Sequence, residues 1–241
     1  MEDERRQYVR YTFYSVDPAW HGRPAEERQR GKAQVVEAFE EFEERMSVLR
    51  AYSLVGTRGD ADLLLWQVSY RLEDHQDLAT RIRGTEMAPY LSMPHSYLSM
   101  TKRSIYVKDH VHEGQEGNRL EVVPGQARYL FVYPFVKTHD WYLLPERDRQ
   151  RMMSEHIRIG HKYPSVKINT TYSFGLDDQE FVVAFESDSP EDFLDLVLDL
   201  REAESRPFTL RDVPIFTCIR MPIEEVMESL GGVTAPARAT V

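Results

Sequence analysis

The sequence predicts an α+β protein made of two tandem βαββαβ halves. The economical arrangement is a dimeric α+β barrel, with two ferredoxin-like sheets burying their leftover faces on each other and helices outside. Two observations predict it. Extended and helical hydrophobic patterns follow in the order β-α-β-β-α-β up to about residue 107, and the same order returns from Arg128. A polar, glycine-bearing stretch, Asp109–Gly125, lies between them and reads as a connector. The expected halves are therefore 1–108 and 127–241, with a connector at 109–126. The duplication is inferred from element order, not from repeated residues. At 241 residues, with 41% hydrophobic and 11% aromatic content, the chain is long enough for such a shared core.

In the first half, Tyr8–Val16 alternates polar and aromatic residues and reads as a strand. Asp17-Pro18 and Gly22-Arg23-Pro24 punctuate a loop. Val36, Phe39, Phe42, Met46 and Leu49 recur at spacings of three and four, which predicts a helix over 25–49. Strands follow at 51–55 and 62–70 around Gly56-Thr57-Arg58-Gly59-Asp60. In the second of these, Leu63-Leu64-Leu65-Trp66 is continuous enough for burial on both faces. A helix over 72–84 and a strand over 96–107 complete the unit.

In the second half, a strand is expected over 128–136 and a helix over 145–162. A hairpin of 166–174 with 180–187 turns at Gly175-Leu176-Asp177-Asp178. A helix over 190–201, a strand over 213–221 and a short helix over 222–230 close the chain.

Charge and composition exclude several classes. The net charge of −10 argues against general nucleic-acid binding, which needs a basic face to displace phosphate counterions. An anionic ligand would need locally gathered arginine and lysine. No run approaches the roughly 18 apolar residues that span a bilayer. Met1-Glu2-Asp3-Glu4-Arg5-Arg6 is charged, with no apolar signal core after it, so a cytoplasmic protein is expected. Cys218 is the single cysteine, expected as a small buried hydrophobe, and it cannot build a disulfide or a cysteine-rich metal site. There is no phosphate-cradling glycine loop, HExxH pair or GxSxG elbow.

The candidate chemistry clusters in one strand–helix unit. Tyr133 and Lys137 are four apart on an extended segment, so period two puts both on one face. A buried Tyr is ordinary core, but a buried ammonium needs a counter-charge, which favours an anionic ligand. His156 shares the inner side of its helix with Met152, Met153, Ile159 and Gly160. Such a histidine is either a hydrogen-bonded core residue or a ligand, and Gly160 leaves an open patch for a flat group. His161 points elsewhere. Asp177 and Asp178 suit a tight turn; Asp177 or Glu180 could also orient a ligating histidine. Lys102 with Arg103, and Arg201 with Arg206, could clamp carboxylates.

Together, Tyr133-Pro134-Phe135-Val136-Lys137-Thr138, the Asp140-Trp141-Tyr142-Leu143-Leu144-Pro145 turn, the Met152…Glu155-His156…Gly160 helix and Ser173-Phe174-Gly175-Leu176-Asp177-Asp178 resemble the chlorite dismutase-like family. The likeness is to its coproheme decarboxylase (haem synthase) branch. It covers nearly the whole chain and is strongest from Tyr129 to Phe216.

The resemblance implies the paired ferredoxin-like barrel, commonly a homopentamer, with a haem-type porphyrin in the C-terminal half. It implies His156 as the proximal iron ligand, Tyr133 as the tyrosine whose radical oxidises a propionate, and Lys137 beside that propionate. Trp141 and Ile168 fall in the porphyrin's surroundings. Iron coproporphyrin III would be both substrate and redox centre: hydrogen peroxide oxidises the iron, the propionates at positions 2 and 4 lose CO₂, and haem b results.

One departure matters. The position of the distal arginine in chlorite dismutases holds Ile168, with uncharged Asn169 beside it. Chlorite dismutation is therefore not expected. A branch with a small apolar residue there takes a distal histidine from another loop, for which the connector offers His110 and His112. The alternative readings are a haem protein with peroxidase or chlorite-degrading activity, and a non-catalytic haem carrier.

Overall fold

The computed structural model describes residues 5–106 and 120–231. The connector histidines, His110 and His112, lie outside the described residues. Nine strands and six α-helices form among those described. The first half gives β1 (Tyr8–Val16), α1 (Ala25–Glu43), β2 (Val48–Ser53), β3 (Leu63–Ser69), α2 (Leu72–Arg83) and β4 (Leu91–Met100). The second gives β5 (Tyr129–Lys137), α3 (His139–Leu143), α4 (Glu146–Gly160), β6 (Lys167–Tyr172), β7 (Phe181–Ser187), α5 (Pro190–Arg201), β8 (Thr209–Arg211), β9 (Phe216–Arg220) and α6 (Ile223–Ser229). Strand order is β4-β1-β3-β2 in the first half and β9-β5-β7-β6 in the second. Both are the ferredoxin-like order, so the α+β class and the duplicated βαββαβ topology are as expected.

Several boundaries move. The first long helix ends at Glu43 and not at Leu49, because the amides of Arg45 and Met46 close onto the Phe42 carbonyl and Val48 already pairs with Val68. β4 starts at Leu91, earlier than the expected 96, and ends at Met100. It runs through Pro94. The last strand begins at Phe216, since Pro214 has no N–H to give. The one-turn helix α3 and three-residue β8 are too short to carry a hydrophobic period.

The described chain falls into two compact units, residues 10–96 with 218–231, and residues 5–9 with 97–106 and 120–217. In the first, α1, α2 and α6 pack on a core that includes Phe39, Phe42, Leu63, Leu65, Ile82, Met87 and Met227. β3 is buried at every residue. Gly31 lets α1 approach closely: a Cβ there would lie 2.6 Å from the Trp20 ring. In the second unit, α4 and α5 lie on β5, β6 and β7. Here Phe131 stacks on Phe193 with ring centroids 4.0 Å apart, and Ile159, Phe185 and Leu196 surround them. α5 starts cleanly, with the Ser189 side chain accepting from the Asp192 amide and Pro190 in the first turn. Cys218 is fully buried on β9. No helix among the described residues is long and apolar enough to cross a membrane.

The two halves share more than element order. Trp20 and Trp141 each follow a strand end by four residues, and each is buried against the aromatic of an X-Pro-aromatic turn. Trp20 lies 5.2 Å from Tyr90 and Trp141 lies 5.7 Å from Phe208. Pro24 and Pro145 precede α1 and α4. Arg30 pairs with Glu86, and Arg151 with Glu204. The Gln34 side chain accepts from the Glu86 amide at 2.7 Å, as Glu155 does from that of Glu204 at 2.9 Å. Within each of the pairs Tyr8/Tyr129, Trp20/Trp141, Pro24/Pro145, Arg30/Arg151 and Gln34/Glu155 the spacing is 121 residues. Gly56 and Gly175 adopt positive φ in matching hairpin turns.

Replacing Phe131 with alanine removes a ring stacked at the centre of the second unit. Chemical denaturation should show a loss of about 3–5 kcal/mol, against about 0.5 kcal/mol or less for Leu194→Ala on the exposed side of α5.

Candidate functional site

The site is built on one face of β5-β7-β6, within the second unit. Side chains alternate along β5, so Phe131, Tyr133 and Phe135 point to the face covered by α4 and α5. The register pairs Phe131 with Phe185, Tyr133 with Val183 and Phe135 with Phe181. It also pairs Ile168, Thr170 and Tyr172 with Phe185, Val183 and Phe181. Ile168 therefore shares the face of Tyr133. Asn169 points to the opposite face, buried, where its amide donates to Glu186 at 3.0 Å. Ile168 is 44% exposed, so the described residues leave much of an apolar side chain on the sheet uncovered.

Tyr133 stacks near Phe185 with centroids 6.0 Å apart. Burial pushes its phenol well above the ordinary value; Asp212 adds to this, and Arg201 and Arg206 oppose it. At neutral pH the phenol keeps its proton.

Lys137 ends β5 at a register shift and is 9% exposed. Its ammonium sits 4.3 Å from the Trp141 ring centroid and 3.5 Å from the Ser205 carbonyl. Burial, then the charge of Arg206, lowers its pKa to about 8, with Glu180 opposing. Trp141 is itself buried, between Tyr106 and Phe208, so it forms the floor under Lys137.

His156 lies on α4 with its ring partly buried. Its pKa is lowered to about 4, first by burial and then by the charge of Lys137, with Glu155 opposing. The imidazole is neutral at ordinary pH, and no hydrogen bond among the described residues engages it. A neutral, uncommitted imidazole is the form that ligates a metal. No three His, Cys, Asp or Glu side chains among the described residues converge as a metal-binding group.

Arg206 and Arg201 both donate to one oxygen of Asp212, at 2.6 and 2.5 Å. Burial would raise the Asp212 carboxyl, and the two guanidiniums together more than reverse it. Asp212 follows β8, whose Arg211 and Thr209 pair with Val136 and Lys137. The trio therefore sits alongside the Tyr133–Lys137 segment. The sequence offered the two arginines, but not Asp212, which joins them, because the short β8 before it carries no pattern.

The remaining expected residues are placed as follows. Arg103 is exposed on the segment after β4, and the Lys102 ammonium lies 6.0 Å from the Tyr172 ring. The supporting role for His156 offered to Asp177 or Glu180 is corrected. Asp177 accepts from the Leu98 amide at 2.7 Å and from Gln179 at 3.0 Å. Glu180 accepts from the Lys137 amide at 2.7 Å and the Tyr142 hydroxyl at 2.6 Å. These carboxylates hold turns and strand ends in place. His161 is exposed at the end of α4.

The internal repeat marks where the two units differ. Carried along the same spacing, Thr12 and Val16 of β1 match Tyr133 and Lys137, and Val35 and Phe39 of α1 match His156 and Gly160. Val35 and Phe39 are core residues of their unit, each 4% exposed. In the second unit a histidine and a glycine stand at those positions, and a Cβ on Gly160 would meet nothing within 4 Å. Laying one half on the other would have exposed this divergence from sequence alone.

Comparison with known proteins agrees with the fold. The chlorite dismutase family model matches residues 28–221. A coproheme decarboxylase from Mycolicibacterium smegmatis is 31% identical over 230 residues, 95% of this chain and 97% of that protein. A solved chlorite dismutase from Candidatus Nitrospira defluvii superposes with a TM-score of 0.84 at 24% identity, covering 95% of this chain and 96% of that one. A haem-binding protein from Thermus thermophilus gives a TM-score of 0.80 at 26% identity, covering 93% and 95%. With the family model spanning most of its length, this chain belongs to the chlorite dismutase family.

Proposed function

We propose that this chain is a peroxide-dependent coproheme decarboxylase, which converts iron coproporphyrin III to haem b. The observation that carries the reading is the neutral, uncommitted imidazole of His156, one turn from the open space at Gly160 and within reach of the Lys137 charge, with Arg206 acting in turn on Lys137 and Tyr133. The coproheme decarboxylase relative supports it. The donor set fits the substrate: one axial nitrogen for the iron, an apolar opening for a flat ring, and cations for its carboxylates.

Bound there, the iron porphyrin with hydrogen peroxide would supply the oxidising equivalents. The chain's residues do the rest. His156 would hold the iron from one side. Lys137 and Arg206 would orient propionates toward Tyr133, the ammonium by charge and the guanidinium as a planar donor. Because burial keeps its proton on, Tyr133 gives up an electron and a proton together when oxidised. It then takes a hydrogen atom back from the substrate side chain. Each propionate becomes a vinyl group by losing CO₂, one proton and two electrons, and one peroxide accepts the two electrons on its way to water. Assembly as a homopentamer belongs to the same proposal.

Ile168 favours this reading over chlorite degradation. An apolar side chain on the pocket face gives a small oxyanion no charged partner.

Tyr133→Phe should bind iron coproporphyrin within about 3-fold of wild type yet lose at least about 100-fold in CO₂ loss, read by mass spectrometry. Retained turnover removes the radical role. His156→Ala should alter the iron absorption spectrum of the bound substrate; an unchanged spectrum shows that His156 is no ligand. The Lys137 ammonium also makes binding pH-dependent. Its pKa of about 8 means that the charge is present below and lost above that pH. The affinity for metal-free coproporphyrin should therefore fall as pH rises through about 8 to 9, with the transition moved upward by bound carboxylate. Lys137→Met should flatten that profile, measured by fluorescence titration.

A further inference from the structure

We propose that Gly160 is the residue that opens the pocket, and that the bound ring replaces the core that α4 lacks. The inference deepens the proposed function and rests on it for the identity of the ligand. Three observations carry it.

The first is the matched register of α1 and α4. Their arginines bind equivalent glutamates, and Gln34 and Glu155 accept from equivalent backbone amides. At the next residue Val35 corresponds to His156, and one turn beyond it Phe39 corresponds to Gly160. The second is the difference in burial. α1 buries Gly31, Lys32, Val35, Ala38, Phe39 and Phe42, whereas α4 buries Ile159 alone. The third is the open space at Gly160 itself, where an added Cβ meets no atom within 4 Å.

A helix is held on a sheet chiefly by the apolar stripe it buries. α4 spans 15 residues with one buried side chain, so most of its docking surface waits for something flat and apolar. Phe39 shows what fills that place when the chain fills it from within. Glycine at 160 also loosens the helix, since it has the most backbone freedom to lose. Space and looseness come from the same substitution.

The test compares wild type with Gly160→Ala, Gly160→Leu and Gly160→Phe, all free of porphyrin. Each is titrated with metal-free coproporphyrin, and hydrogen exchange of α4 and α1 is followed with and without it. In the wild type, α4 should exchange at least about 10-fold faster than α1 and should slow on porphyrin addition. Affinity should fall stepwise with side-chain size, by about 100-fold or more for Gly160→Phe, while α4 in porphyrin-free Gly160→Phe exchanges more slowly than in wild type. Gly160→Ala fits the open space, so the graded series still reads out if the phenylalanine variant fails to fold. Binding by Gly160→Leu or Gly160→Phe equal to wild type overturns the proposal, as does α4 exchange as slow as α1 in the unliganded wild type. If the wild type takes up no porphyrin, the proposed function fails. The exchange comparison then still decides whether Gly160 leaves α4 short of core.

Discussion

A helix lying on a sheet has one side that must be kept from water, and this chain meets that constraint twice with different outcomes. In the first half α1 covers β1, β2 and β3 with Val35, Ala38, Phe39 and Phe42, and the interface is closed. In the second half α4 covers β5, β6 and β7 with little more than Ile159, and a histidine and a glycine stand where valine and phenylalanine stood. The framework around the gap is common to both copies: the buried tryptophan, the proline before the helix, the arginine–glutamate pair. Under the proposal, that framework keeps α4 on the sheet while a bound ring takes the place of the missing filling.

Burial then sets the chemistry. The same low-dielectric surroundings raise the Tyr133 phenol, lower Lys137 to about 8 and lower His156 to about 4. One cause yields three useful states: a phenol that holds its proton, an ammonium near its titration point, and an imidazole free for a metal. Charge partners refine this only at the margin. Lys137 adds by repulsion to the burial that keeps His156 neutral, and Asp212 holds Arg201 and Arg206 beside Tyr133 without neutralising both. An acidic protein can thus present a local surplus of positive charge to a carboxylate-bearing ligand.

Much of this was legible in the sequence where a long pattern existed. The order of strands and helices, the buried run Leu63-Leu64-Leu65-Trp66 and the inner side of His156 follow from periods of two and 3.6. Where the pattern was short it failed. β8 has three residues and α3 five, and with them went Asp212, the link between Arg201 and Arg206, and the stacking of Lys137 on Trp141. Asp177 and Glu180 were weighed as partners of His156 because carboxylates near a histidine suggest it; their real partners, Leu98 and Tyr142, lie 79 and 38 residues away along the chain.

By itself the sequence determined the fold class, the strand–helix unit that carries the site and the residue types within it, because these depend on local periodicity and side-chain chemistry. Only the tertiary structure decided what the residues face. It put Ile168 and not Asn169 on the side of Tyr133, and joined Arg201 and Arg206 through Asp212. Those outcomes depend on strand register and on how two elements distant in sequence pack, and no local pattern encodes either.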